Sequence, residues 1–168
     1  MMKHILIICT LLLIFYPNHI VSQESEDNNP GYEFIKENLD SENYKKAEKL
    51  SIEALKNNPD NNDIRFLLGL CYIRQDNLKK AETEFKKITE TERSYTDAFT
   101  MLGNIYFWQG KNEKAISYYE KAELEGYNES LYINKARAHY KLGHFAKAKD
   151  LVDKILSNTK ENKAANKL

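Results

Sequence analysis

Long apolar stretches are scarce in these 168 residues. The longest runs from Ile5 to Tyr16, broken only by Thr10, and it falls well short of the about 20 apolar residues that a membrane-spanning helix needs. Cysteine is nearly absent: Cys9 lies inside that run, and Cys71 is the other. Once the leading segment is removed, no intramolecular disulfide can form. Charge of one sign is not in excess, because 25 Lys and Arg balance 25 Asp and Glu, which argues against nucleic acid as a partner. Histidine is sparse too. His139 and His144 are the two beyond residue 22, and neither has a cysteine or carboxylate nearby at metal-ligand spacing. No Gly-rich phosphate loop appears, and no serine stands with a base and an orienting acid. The expectation is therefore a protein that is no enzyme and uses no cofactor and no metal.

The first residues read as an export signal. Met1-Met2-Lys3-His4 supplies a short positive start, the apolar run follows, and Pro17-Asn18 ends it. Ser22 offers a small residue for cleavage, so residues 1–22 are expected to be a signal peptide and Gln23 the new N-terminus. Cys9 sits within the apolar run instead of closing it, which speaks against a lipid tether. Residues 23–31 are acidic and polar and end in Pro30-Gly31, as expected of a disordered leader.

What is plentiful is repetition. Ala47, Ala81, Ala115 and Ala148 recur 34, 34 and 33 residues apart. Gly69, Gly103 and Ala136 keep the same interval, as do Tyr72, Tyr106 and His139. Apolar residues recur at helical spacing around Leu68-Gly69 and Leu102-Gly103. Short polar turns at Gln75-Asp76-Asn77, Gln109-Gly110-Lys111 and Leu142-Gly143-His144 then lead into Leu78 to Ile88, Asn112 to Ala122 and Phe145 to Ile155. Connections this short force antiparallel helix pairs. Glycine within a helix costs about 1 kcal/mol relative to alanine, so Gly69 and Gly103 imply close approach of the paired helix. Self-similarity at this period predicts a stacked helical array.

Leu-Gly-x-x-Tyr, then Ala, then an aromatic residue four positions later, on a 34-residue interval, resembles the tetratricopeptide repeat. The resemblance implies an all-α, right-handed superhelix of four helix-turn-helix repeats, an α-solenoid. The repeats fall at about 28–61, 62–95, 96–128 and 129–162, within a domain expected over 32–158. The first repeat departs from the pattern, with Phe34-Ile35 in place of Leu-Gly and Asn38 in place of Tyr, and the fourth carries Ala136 and His139. Residues 159–168 read as a short cap or tail, or as the start of a fifth unit. Repeats two to four, with Ile105-Tyr106-Phe107-Trp108-Gln109-Gly110, resemble the periplasmic region that precedes the barrel of YaiO-like outer-membrane proteins. No alternating strand pattern follows here, so no barrel is expected.

In that family the first helix of each pair lines a concave groove. The resemblance thus places Phe66, Leu70, Ile73 and Arg74 there, then Thr100, Asn104, Phe107 and Trp108, then Ile133, Arg137, Tyr140 and Lys141, with Tyr32 and Lys36 at the N-terminal end. Aromatic walls with a few cations suit an extended peptide or a sugar chain. The binding set is Phe66, Arg74, Asn104, Phe107, Trp108, Arg137, Tyr140 and Lys141. The competing reading of Phe66, Leu70 and Ile73 is packing between neighbouring first helices. The tail-binding Lys and Asn positions of chaperone cofactors are occupied by Phe66, Leu70, Met101, Ser130 and Asn134, so that role is not expected. Charge is lopsided: residues 23–44 hold seven acids against Lys36, and 141–168 hold seven lysines against three acids. The function expected is an exported scaffold or adaptor in the bacterial periplasm. Its partner would be an envelope or outer-membrane protein, held in the groove or on the C-terminal face. The alternative is a glycan-binding accessory protein of a polysaccharide uptake, degradation or export system.

Overall fold

The structure is a computed structural model and describes residues 30–92, 95–123 and 128–165. The expected signal peptide, most of the leader and the residues 124–127 of the turn where the repeat interval shortens lie outside the described residues. Among the described residues eight helices follow in order: α1 (Pro30–Asp40), α2 (Tyr44–Asn57), α3 (Asn62–Arg74), α4 (Leu78–Thr91), α5 (Thr96–Trp108), α6 (Asn112–Glu123), α7 (Glu129–Lys141) and α8 (Phe145–Ala165). They form four antiparallel pairs, α1–α2 to α7–α8, and each pair stacks on the one before it. The expected α-solenoid is the fold observed.

Helix ends explain the regular folding back. Asn61, Asn77 and Asn128 each accept a hydrogen bond from the backbone N–H three residues on, at 2.9, 3.2 and 3.1 Å. This satisfies one of the donors that a helix start leaves open. Within each pair the turn is the same device four times. One residue takes a left-handed conformation: Glu42 (φ 62°), Asp76 (57°), Gly110 (73°) and Gly143 (74°). The next residue's N–H then reaches back to a carbonyl of the last helical turn. The bonds are Asn43 to Asn38, Asn77 to Tyr72, Lys111 to Tyr106 and His144 to His139, at 2.8, 2.8, 2.8 and 3.0 Å. This is the paired-bond helix stop that favours glycine at the left-handed position.

The core is built from positions that swap size across each pair. Gly69 lies under the Phe85 ring, where a Cβ would come within 2.6 Å of Cζ, and Gly103 lies likewise under Tyr119. Both rings are fully buried. The close approach is thus of a side chain onto helix backbone. In register, repeat one reverses the sizes, with Ile35 opposite Ser51, both buried. Ser51 closes its hydroxyl onto the Ala47 carbonyl at 2.8 Å. Asn38, standing where Tyr72 and Tyr106 recur, is buried and donates to the Phe34 carbonyl at 2.7 Å. The departures of repeat one are therefore packed and satisfied within the same fold. Ala47, Ala81, Ala115 and Ala148 are all buried.

Two expectations are corrected. Pro30 and Gly31 open α1 instead of closing the leader, and proline is well suited to a first helical position because its missing N–H has no partner there anyway. Helix α8 runs unbroken through residues 159–165, so no fifth unit starts at Thr159. Val152, register partner of the buried Phe85 and Tyr119, is 44% exposed.

Candidate functional site

The first helices α3, α5 and α7 each contribute four residues in fixed register to one surface of the array. Phe66, Thr100 and Ile133 form one row, and Leu70, Asn104 and Arg137 a second. Ile73, Phe107 and Tyr140 form a third; Arg74, Trp108 and Lys141 a fourth. In each of the first three rows the last member is exposed and the two before it are not. In the interior, these side chains lean on the neighbouring repeat. Phe66 meets Phe85 edge-on at 5.3 Å and Tyr95 at 5.5 Å, so the residue expected in the groove is half-buried packing. Leu70 and Ile73 also pack against the core cluster of repeats two and three, and Thr100 is buried.

Asn104 has a joining task. Its Oδ1 accepts from the Tyr119 hydroxyl at 2.8 Å and from Asn134 Nδ2 at 3.0 Å, linking α5, α6 and α7. The Arg137 guanidinium sits over the Phe107 ring at 5.2 Å, a contact favoured by the ring quadrupole. The fourth row differs, since Arg74, Trp108 and Lys141 are all exposed. Trp108 is the sole tryptophan of the chain and is 53% exposed.

A second feature lies at the end of the array. Ile133, Ala136, Tyr140, Phe145, Ala148 and Val152 line an apolar depression of about 600 Å³, with Arg137, Lys141 and Lys149 among the residues around it. Tyr140 and Phe145 are 63% and 62% exposed and touch edge-to-face at 5.3 Å. Arg137, Tyr140 and Lys141, expected in the groove, thus belong to this end surface as well. Phe145, Val152 and Ile155 were not among the expected site residues. The signal that identifies them is positional: Phe145, Val152 and Ile155 hold the register of Leu78, Phe85 and Ile88, which belong to the interior core.

The polar groups near the joints are committed to structure. Burial alone would raise the Glu82 carboxyl, but hydrogen bonds from Lys86 and Tyr106 outweigh it and hold it below the usual range. Glu123 behaves alike: burial opposes ionisation, and Lys135 and Tyr132 overcome it. Lys135 reaches Glu123 at 2.6 Å across the joint between repeats three and four, and Lys154 approaches at 3.6 Å. The Cys71 thiol is pushed up to about 12, first by burial and then by Glu48, so it is inert at neutral pH. His139 is buried, and burial followed by Lys147 and His144 lowers its pKa. Its Nδ1 lies 3.4 Å from that of His144. Among the described residues no group of three or more His, Cys, Asp or Glu is placed to hold a metal ion. Among the same residues no helix is long and apolar enough to cross a membrane.

Comparison with known proteins agrees with this architecture. Models of the tetratricopeptide repeat match residues 38–105, 96–123 and 129–162. A crystal structure of the protein MamA superposes with a TM-score of 0.71 at 22% identity, covering 82% of this chain and 75% of that one. MamA 41-end from Desulfovibrio magneticus RS-1 gives 0.72 at 16% identity, covering 79% and 75%. TTC0263, a thermophilic TPR protein in Thermus thermophilus, gives 0.65 at 18% identity, covering 76% and 72%. At such identities the likeness is one of fold. A search of the curated proteins returns no match.

Proposed function

This chain is built of tetratricopeptide repeats, and on that basis we propose that it is a non-catalytic adaptor that holds a protein partner on the surface of its first helices. The observation that carries the reading is the row Arg74, Trp108 and Lys141, which stays exposed along three successive repeats while the rows beside it are largely drawn into packing. An indole flanked by two cations suits an extended segment bearing apolar and acidic side chains. The indole face takes the apolar group, and the cations take carboxylates. The signal-like N-terminal sequence motivates the finer part of the proposal: the adaptor works in the periplasm and serves an envelope or polysaccharide-handling system.

The single tryptophan makes the test direct. Envelope proteins retained by the wild type are compared with those retained by Trp108→Ala and by Arg74→Glu/Lys141→Glu, and polysaccharide binding is measured on the same three proteins. The expected result is a retained protein that shifts Trp108 fluorescence on titration and binds each variant at least tenfold more weakly. Exposed Trp108 and Tyr140 faces also favour a second reading, direct binding of saccharide. Polysaccharide affinity lost in Trp108→Ala, with protein capture unchanged, would establish that reading in place of the adaptor.

A further inference from the structure

The two ends of the array are complementary to each other, and we propose that copies of this chain associate head to tail, with α1 of one copy seated on the terminal depression of α7 and α8 of the next. The register of the repeats identifies the facing residues. Interior first helices turn a fixed set of positions toward the preceding repeat. Ile64, Leu67 and Cys71 of α3 pack with Ile35 and Ala47 of repeat one. Ala98, Leu102 and Ile105 of α5 pack with Phe85 and Ile88 of repeat two. Lys135 of α7, in the register of Leu68 and Leu102, reaches Glu123 of repeat three.

On α1 these positions hold Glu33, Phe34 and Glu37. They correspond to Leu67, Leu68 and Cys71 in the next repeat. All three are exposed, and Phe34 is 45% exposed with Lys46 over its ring at 5.0 Å. The leading face therefore offers one aromatic ring between two carboxylates. The trailing face offers an apolar depression with Arg137, Lys141 and Lys149 around it. By register, the cluster of Leu102 with Ala81 and Phe85 would carry Phe34 of a second copy toward Ala148 and Val152, and the Lys135–Glu123 pair would carry it toward Leu156, which is 52% exposed. Glu33, in the register of Asn134, would come toward Arg137, in the register of Asn104, while Lys149 is already paired with Asp153. The Lys135–Glu123 pair shows that a joint of this array already accommodates an ion pair between repeats.

A contact between two different faces leaves one of each face free at the ends, so assembly continues instead of closing at a dimer. Stacking in register also continues the rows: Lys36 of the second copy falls in the row of Leu70, Asn104 and Arg137. The proposal goes beyond the adaptor reading and does not rest on it, since it concerns mass alone.

The experiment is sedimentation velocity on the protein in the form the cell produces, at rising concentration and at low and high salt. The expected result is a concentration-dependent ladder of species, weakened by salt. Phe34→Glu removes the leading face and Val152→Glu the trailing face; both positions are exposed, and circular dichroism confirms that each variant folds. Each variant alone should sediment as a monomer. Mixed in equal amounts, they should form a species of twice the monomer mass and stop there, because only one intact joint remains. A wild type that stays monomeric overturns the proposal, as does a closed dimer insensitive to Phe34→Glu. So does a mixture of the two variants that stays monomeric. A depression covered by another protein, with no self-association, overturns it equally and leaves the adaptor reading standing.

Discussion

At residue scale the repeat tolerates exchange wherever size or hydrogen bonding is compensated. Gly69 with Phe85 and Gly103 with Tyr119 put the bulk on the second helix, whereas Ile35 with Ser51 puts it on the first. His139 is the exchange with a pH consequence. It fills the position of Tyr72 and Tyr106, and its folded pKa lies below the ordinary value of 6.5 because burial and then Lys147, His144 and Lys135 disfavour its charged form, against Glu120. Above the ordinary value both folded and unfolded chains hold a neutral imidazole, and the group contributes no pH dependence. As pH falls through that value the unfolded chain takes up a proton that the folded chain resists, so stability declines. His139→Tyr should remove this decline between about pH 7.5 and 5.5, the window around the ordinary imidazole value. Any loss at lower pH, where Glu82 and Glu123 become protonated, should remain. Thermal midpoints followed by circular dichroism across that range decide it, and equal slopes for the two proteins would sink the idea.

At the scale of elements, the pairing of helices was legible in the sequence because glycine, small and aromatic residues mark it at a fixed interval. The stop between paired helices was legible only in part. Gly110 and Gly143 announce it, and Asp76 stands in a turn read from the sequence, but Glu42 occupies the same left-handed position and does not look like a turn residue of that kind. Phe66 read both as a groove residue and as packing, and spacing alone does not reveal which rings, Phe85 and Tyr95, stand beside it. A left-handed residue with a Cβ costs roughly 1–2 kcal/mol, and glycine returns about 0.5–1 kcal/mol of that through the entropy of the unfolded chain. Glu42→Gly should therefore stabilise the protein by about 0.5–1 kcal/mol, seen as a higher urea midpoint with an unchanged slope. Gly110→Ala is the converse. Its added Cβ meets nothing within 4 Å, so a loss of about 1 kcal/mol would come from the backbone alone. Destabilisation by Glu42→Gly would mean that the Glu42 side chain contributes something its exposed position does not reveal.

At the scale of the whole molecule, stability in a stacked array is a sum over units and joints, and the ends have one joint fewer than the middle. Helices α4 and α5 are covered on both sides and hold Ala81, Phe85, Ile88, Ala98, Leu102 and Ile105 fully out of solvent. Helix α8 buries Ala148 but leaves Phe145, Val152 and Leu156 exposed, and α1 leaves Phe34 exposed in the same way. Amide hydrogen exchange in dilute solution should accordingly be slowest in α4 and α5 and faster toward both ends, because local opening is easiest where few apolar contacts are lost. Head-to-tail association adds the missing joint to both ends at once. Raising the protein concentration should then slow exchange in α1 and in the first half of α8 together, while α4 and α5 stay unchanged, and Phe34→Glu should abolish the effect at both. Protection appearing in α8 alone would assign the depression a different occupant. Protection rising through the middle of the array would mean that association tightens the whole solenoid instead of adding a joint at its ends.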